Sequence, residues 1–158
     1  KTLAEADDDF WAEVMSLNLG SVRRVSRAAA PALTEAAKTR GGASIVNLAS
    51  LAGRKGGHPG SIAYATAKGA VLTFTRALSN ELAPLGVRVN ALAPLYNVAT
   101  PGASAHDLVA DFELEPPTFV AEAALALVEG DITGRIALSQ PFLAELGRTP
   151  ASLPDGLG

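Results

Sequence analysis

From Asp8 onward, apolar residues return every three or four positions: Trp11, Met15, Leu19, Val22, Val25, Ala29 and Leu33. That period puts them on one face of a helix. Asp7, Asp8 and Asp9 provide an N-cap and negative charge at the positive end of the helix dipole, and Gly41 and Gly42 end the helix. The run NLGS, Asn18 to Ser21, interrupts its middle. The pattern then changes. Residues 43–50, ASIVNLAS, are short, apolar and β-branched between glycines, which predicts a buried strand. Residues 51–60 hold four glycines and a proline and predict a loop. A second long helix is expected over residues 61–83, with Ser61 as its cap and Pro84 and Gly86 as its stop. Residues 87–94, VRVNALAP, predict a second strand. Periodicity vanishes over 95–117, a stretch of Pro, Gly, Ala, Asp and Glu that reads as a mobile, lid-type segment. Thr118 is the expected cap of a third helix ending at Gly130, and residues 134–139 form the expected third strand. From Thr149 the chain reads as a loose tail on a single domain of residues 1–148.

Apolar strands alternating with helices predict an α/β fold, with a parallel sheet covered on both faces. In such sheets ligands bind beyond the carboxyl ends of the strands. Ser50 and Pro94 stand at those ends, each followed by a glycine- or proline-rich segment. This places a site before any chemistry is considered.

Composition narrows the picture. The 158 residues suffice for one domain with a core, and 48% apolar against 18% charged residues indicates a globular chain. A net charge of −3 argues against nucleic acid as a partner. No cysteine is present, so disulfides and thiolate metal sites are excluded, and two distant histidines do not make a zinc site. No apolar run approaches a membrane span, and KTLAEADDDFW lacks a signal core, so a cytoplasmic location is the default expectation.

The chemistry concentrates in SIAYATAKGA, where Tyr64 and Lys68 stand four apart on one helix face. The spacing alone also suits an ordinary helix. A phenol with a pKa of about 10 needs a drop of roughly 3 units, about 4 kcal/mol, to act as a base near neutrality. A neighbouring ammonium in a dry site favours the phenolate. Ser50, a donor to a substrate oxygen, would complete a proton-transfer site. Other candidates are weaker. GRKGG lacks the pattern of a phosphate loop, and Ser50 does not sit in G-x-S-x-G. His58 and His106 read as surface histidines. Arg23, Arg24 and Arg27 read as a solvated or subunit-facing surface.

Together, LNLGS, IVNLASLAG, YATAK, GVRVNALAP and ITGR resemble the motifs of the short-chain dehydrogenase/reductase family, over about residues 8–134. The resemblance implies a doubly wound, Rossmann-type domain that interconverts an alcohol and a carbonyl with NAD or NADP. It implies that Tyr64 passes the proton and Ser50 polarises the carbonyl. Lys68 would tune Tyr64 and hold the nicotinamide ribose, and Asn18 would hold a water linking Lys68 to solvent. Tyr64, Lys68, Pro94, Val98 and Thr100 would contact the cofactor, and the two long helices would join subunits into a dimer or tetramer. Two local departures stand out. Leu95 replaces the usual glycine after Pro94, and the spacing from Ser50 to Tyr64 is one residue longer than expected. The family's T-G-x-x-x-G-x-G and N-N-A-G are absent. The expectation is therefore the C-terminal part of a longer chain. The alternative is a truncated, non-catalytic chain that serves only as an oligomerising module.

Overall fold

A computed structural model describes residues 1–101 and 113–150. The first helix is a rod in three parts: α1 (Asp8–Met15), a π-helical stretch (Ser16–Gly20) and α2 (Ser21–Arg40). The Asp7 carboxylate caps it by accepting from the Phe10 N–H at 2.8 Å. The predicted interruption is the π-helical turn, where the Ser21 N–H reaches back five residues to the Ser16 carbonyl. Widening the helix there frees carbonyls, and side chains take them up. Asn18 Nδ2 donates to Val14 O at 3.0 Å, and Ser21 Oγ donates to Leu17 O. Gly41, with φ at +83°, closes the helix in the left-handed region.

Three strands, β1 (Ala43–Leu48), β2 (Val87–Ala93) and β5 (Ile136–Leu138), form a parallel sheet in the order β1-β2-β5. The register runs from Ala43 opposite Val87 to Leu48 opposite Leu92, and from Ala91 opposite Ile136 to Ala93 opposite Leu138. Alternate residues of β2 face opposite layers. Val87, Val89, Ala91 and Ala93 pack under α2 and α4 (Ile62–Leu82). Leu92, with Val46 and Ala137, packs under α5 (Pro117–Glu129) and α6 (Ser139–Glu145). Helices on both faces make this the doubly wound, Rossmann-type arrangement, and they explain why β2 is almost wholly buried. Among the described residues, β1 pairs only with β2, so its other edge is bare.

Several expectations are corrected. The first strand stops at Leu48, and Ser50 lies beyond it. The predicted loop 51–60 contains a short helix, α3 (Ala52–Lys55), ended by Gly56 at φ +91°. Ser61 occupies the N-cap position of α4, but its hydroxyl donates to His58 O at 2.6 Å instead of capping the helix. The second strand ends at Ala93, one residue before Pro94. Thr118 is not a cap. Pro116 takes that position in extended backbone, and Pro117 opens α5, where its fixed φ suits the first turn. The third strand is only Ile136–Leu138, and Ser139 already begins α6, an element the pattern did not predict. The segment 95–117 carries a short strand near each end. β3 (Asn97–Val98) and β4 (Leu114–Glu115) pair in parallel, and two-residue strands are too short to show a period. His106 and the middle of that segment lie outside the described residues, as does the tail from residue 151. Val25, expected on the buried stripe, is 67% exposed beside the bare edge of β1. Among the described residues, no helix is long and apolar enough to cross a membrane.

Candidate active site

The carboxyl ends of β1 and β2 open into a cleft of about 620 Å³. Ser50, Tyr64, Lys68, Pro94 and Val98, five of the residues predicted for the site, line it together. They come from separate parts of the chain. Ser50 follows β1, Tyr64 and Lys68 project from the first two turns of α4, and Pro94 and Val98 follow β2.

Backbone contacts hold these pieces in place. The ladder continues past β1 through the Ala49 N–H, which donates to Leu92 O at 2.7 Å. Inside the sheet–helix layer, Asn47 Nδ2 donates to Thr75 Oγ1 at 2.9 Å and ties β1 to α4. Ser50 starts the turn into α3. Its carbonyl accepts from Gly53 N at 3.0 Å, and its Oγ accepts from Ala52 N at 3.2 Å, which leaves the O–H to donate. Gly53 then meets the α4 backbone at Lys68 and Gly69. A Cβ at Gly53 would sit 2.6 Å from the Lys68 carbonyl carbon and 2.7 Å from Gly69 N. Only glycine allows α3 to lie this close, so it sets how near Ser50 stands to the Tyr64–Lys68 helix.

Lys68 Nζ donates to Leu48 O at 3.0 Å and stands 5.7 Å from the centre of the Tyr64 ring. Burial pushes its ammonium below the usual lysine range. Leu48 O occupies one of three N–H donors, so the ammonium keeps capacity for a ligand. Tyr64 is 38% exposed at the mouth of the cleft. Lys68 also lines a second, neighbouring groove of about 580 Å³ with Asn18. Asn18 is thus placed on the far side of Lys68, outside the cleft that holds Ser50 and Tyr64. Thr100 follows β3 and is not among the lining residues of that cleft.

Lys55, His58, Leu95, Tyr96, Asn97 and Glu113 also line the cleft, so His58, read from sequence as a surface histidine, borders the site, and nothing in the sequence reading pointed to Tyr96, Asn97 or Glu113. Arg24 turns to Ser16 O at 3.2 Å, whereas Arg23 and Arg27 border a groove between α2 and α4.

The sequence matches the family described as short chain dehydrogenase over residues 1–107. The chain belongs to that family. The galactitol 2-dehydrogenase (L-tagatose-forming) of Cereibacter sphaeroides is 45% identical over 97 residues, covering 61% of this chain and 36% of that one. The short-chain reductase protein NovJ of Streptomyces niveus is 43% identical over 101 residues, covering 64% and 36%. The short-chain dehydrogenase fold is matched by the crystal structure of a 3-oxoacyl-[acyl-carrier protein] reductase with bound NAD from Brucella melitensis. It has a TM-score of 0.72 at 33% identity, over 87% of this chain and 53% of that chain. The chain therefore spans about a third of the length of these curated relatives and about half of the solved one.

Proposed function

We propose that this short-chain dehydrogenase chain carries the proton-transfer site of an NAD(P)-dependent oxidoreductase acting on a small alcohol or carbonyl compound. The observation that carries the reading is the convergence of Ser50, Tyr64 and Lys68 on one cleft at the carboxyl ends of β1 and β2. In the reducing direction, the Ser50 O–H donates to the substrate carbonyl oxygen and polarises it. The Tyr64 O–H gives its proton to that oxygen as the alcohol forms. Lys68, desolvated and close to the Tyr64 ring, stabilises the phenolate left behind. Asn18, beside Lys68 in the adjoining groove, holds a water through which the proton is restored. Tyr64, Lys68, Pro94 and Val98, which line the cleft, would hold the nicotinamide end of NAD or NADP, which supplies or takes the hydride. The cleft suits that half of the cofactor, with an ammonium donor on one wall and the Pro94–Val98 backbone on the other. Subunit association through α2 and α4, the helices that flank the groove bordered by Arg23 and Arg27, belongs to the same reading.

The test is NADH and NADPH binding, followed by turnover on a panel of secondary alcohols and ketones. Tyr64→Phe keeps cofactor binding and lowers turnover by about 10²–10⁴-fold. Unchanged turnover in that variant rejects the assignment. Self-association without any cofactor binding favours a purely structural module instead.

A further inference from the structure

Glu115 is the one fully buried carboxyl among the described residues, at 0% exposure, and the chemistry above does not use it. Among the described residues its partners are neutral. Ser139 Oγ donates to the carboxyl group, lying 2.9 and 2.8 Å from its two oxygens, and Gln140 Nε2 donates to it at 3.0 Å. Ser139 is also fully buried, and its Oγ accepts from Leu95 N at 3.0 Å. Leu95 follows Pro94 and begins the stretch, Leu95 to Val98, that forms one wall of the cleft.

We propose that Glu115 is a positioning residue for this wall, acting on Leu95 through Ser139. The inference rests on the functional reading of the cleft given above. A serine hydroxyl has one proton and two lone pairs. Glu115 takes the proton, which turns a lone pair toward the Leu95 N–H, and hydrogen bonds linked in this way strengthen one another. Glu115 holds the other end of the wall with its main chain. It pairs with Val98 across β3 and β4, and its carbonyl accepts from Ala99 N at 2.9 Å. One residue therefore anchors the wall at both ends. It ties the wall to α6 and to the sheet, not to the loop that carries Ser50.

The test compares Glu115→Ala, Glu115→Gln and Ser139→Ala by backbone amide exchange and by NADH and NADPH titration. Leu95 exchange is read relative to that of Ala91, whose N–H is held in the sheet by Arg135 O. This ratio removes any general loss of stability. In Ser139→Ala and Glu115→Ala the ratio rises about five- to tenfold, the loss of one buried hydrogen bond. Nicotinamide binding weakens by a similar factor. Glu115→Gln, which still offers an oxygen to Ser139, stays within about twofold of the parent on both readouts. The double variant Glu115→Ala/Ser139→Ala is no worse than Ser139→Ala alone, because the two residues act in series. An unchanged Leu95 ratio in Ser139→Ala, which removes only one oxygen and spares the fold, overturns the proposal. So do additive effects, or a faster Leu95 with unaltered nicotinamide binding. If the parent binds neither NADH nor NADPH, the functional reading fails, and the Leu95 ratio alone decides whether the Glu115–Ser139 link exists.

Discussion

The two long helices α2 and α4 lie on the same face of the sheet and are nearly equal in length, at 20 and 21 residues, yet they are buried very differently. α4 buries eight residues, among them Val71, Leu72, Thr75 and Leu82, whereas α2 buries only Ser26. Their own patterns do not account for this, since α2 carries a clear apolar stripe. The difference lies in the sheet beneath them. α4 rests on β2, the central strand, with neighbours on both sides. α2 rests beside β1, whose outer edge is unpaired among the described residues. A helix buries what its support allows. The proposed chemistry follows the same division. Tyr64 and Lys68 stand on the well-supported helix, and Asn18 stands in the π-helical stretch that leads into the other one.

The contrast breaks first at the α4 core. Leu82→Ala removes a side chain that is 4% exposed and packs on Val87 and Val89. It is expected to lower stability by about 2–5 kcal/mol in chemical denaturation, the range for a buried leucine truncated in place. A loss below about 1 kcal/mol means that α4 is no better anchored than α2.

A smaller effect, with a sign set by pH, is expected at Lys68. Burial lowers its folded pKa below the unfolded value of 10.5. Between those two values the unfolded chain binds more protons than the folded one, so stability rises with pH across that window. Lys68→Met has no such dependence. Its melting temperature relative to the parent is therefore highest at neutral pH, and the difference falls as pH climbs toward 10.5, while turnover is lost at every pH. A difference that stays flat with pH places Lys68 in a more solvated setting than α4 provides here, and one that grows means that a neighbour raises its pKa instead.

The same division explains what could be read from the sequence. The long helices and the β-branched strands were legible because many residues repeat one period, and the convergence of Ser50, Tyr64 and Lys68 followed from their position after β1 and on α4. Short elements were not legible. α3, β3, β4 and α6 have between two and seven residues, too few for a period to stand out. Glu115 was hidden for another reason. In sequence it is one more acidic residue in a polar stretch. Its burial depends on Ser139 and Gln140, more than twenty positions away, which no local pattern exposes. Val25 failed in the opposite direction. Its helical period was read correctly, but among the described residues no second surface covers it.

Val25 also gives the smallest and sharpest test of the comparison. It is 67% exposed and lines the groove between α2 and the bare side of β1. Valine and serine have similar helix propensities, so Val25→Ser removes little but apolar surface that is already in water. The expected change in stability is within about 0.5 kcal/mol, as for ordinary surface substitutions. Denaturation at several protein concentrations makes the result decisive. A loss of about 2 kcal/mol that depends on concentration means that a second copy of the chain covers this groove in solution. A loss of the same size that does not depend on concentration means that α2 packs on its own sheet more tightly than the structure shows. Either result erases the contrast with α4, whereas a near-zero change at every concentration upholds it.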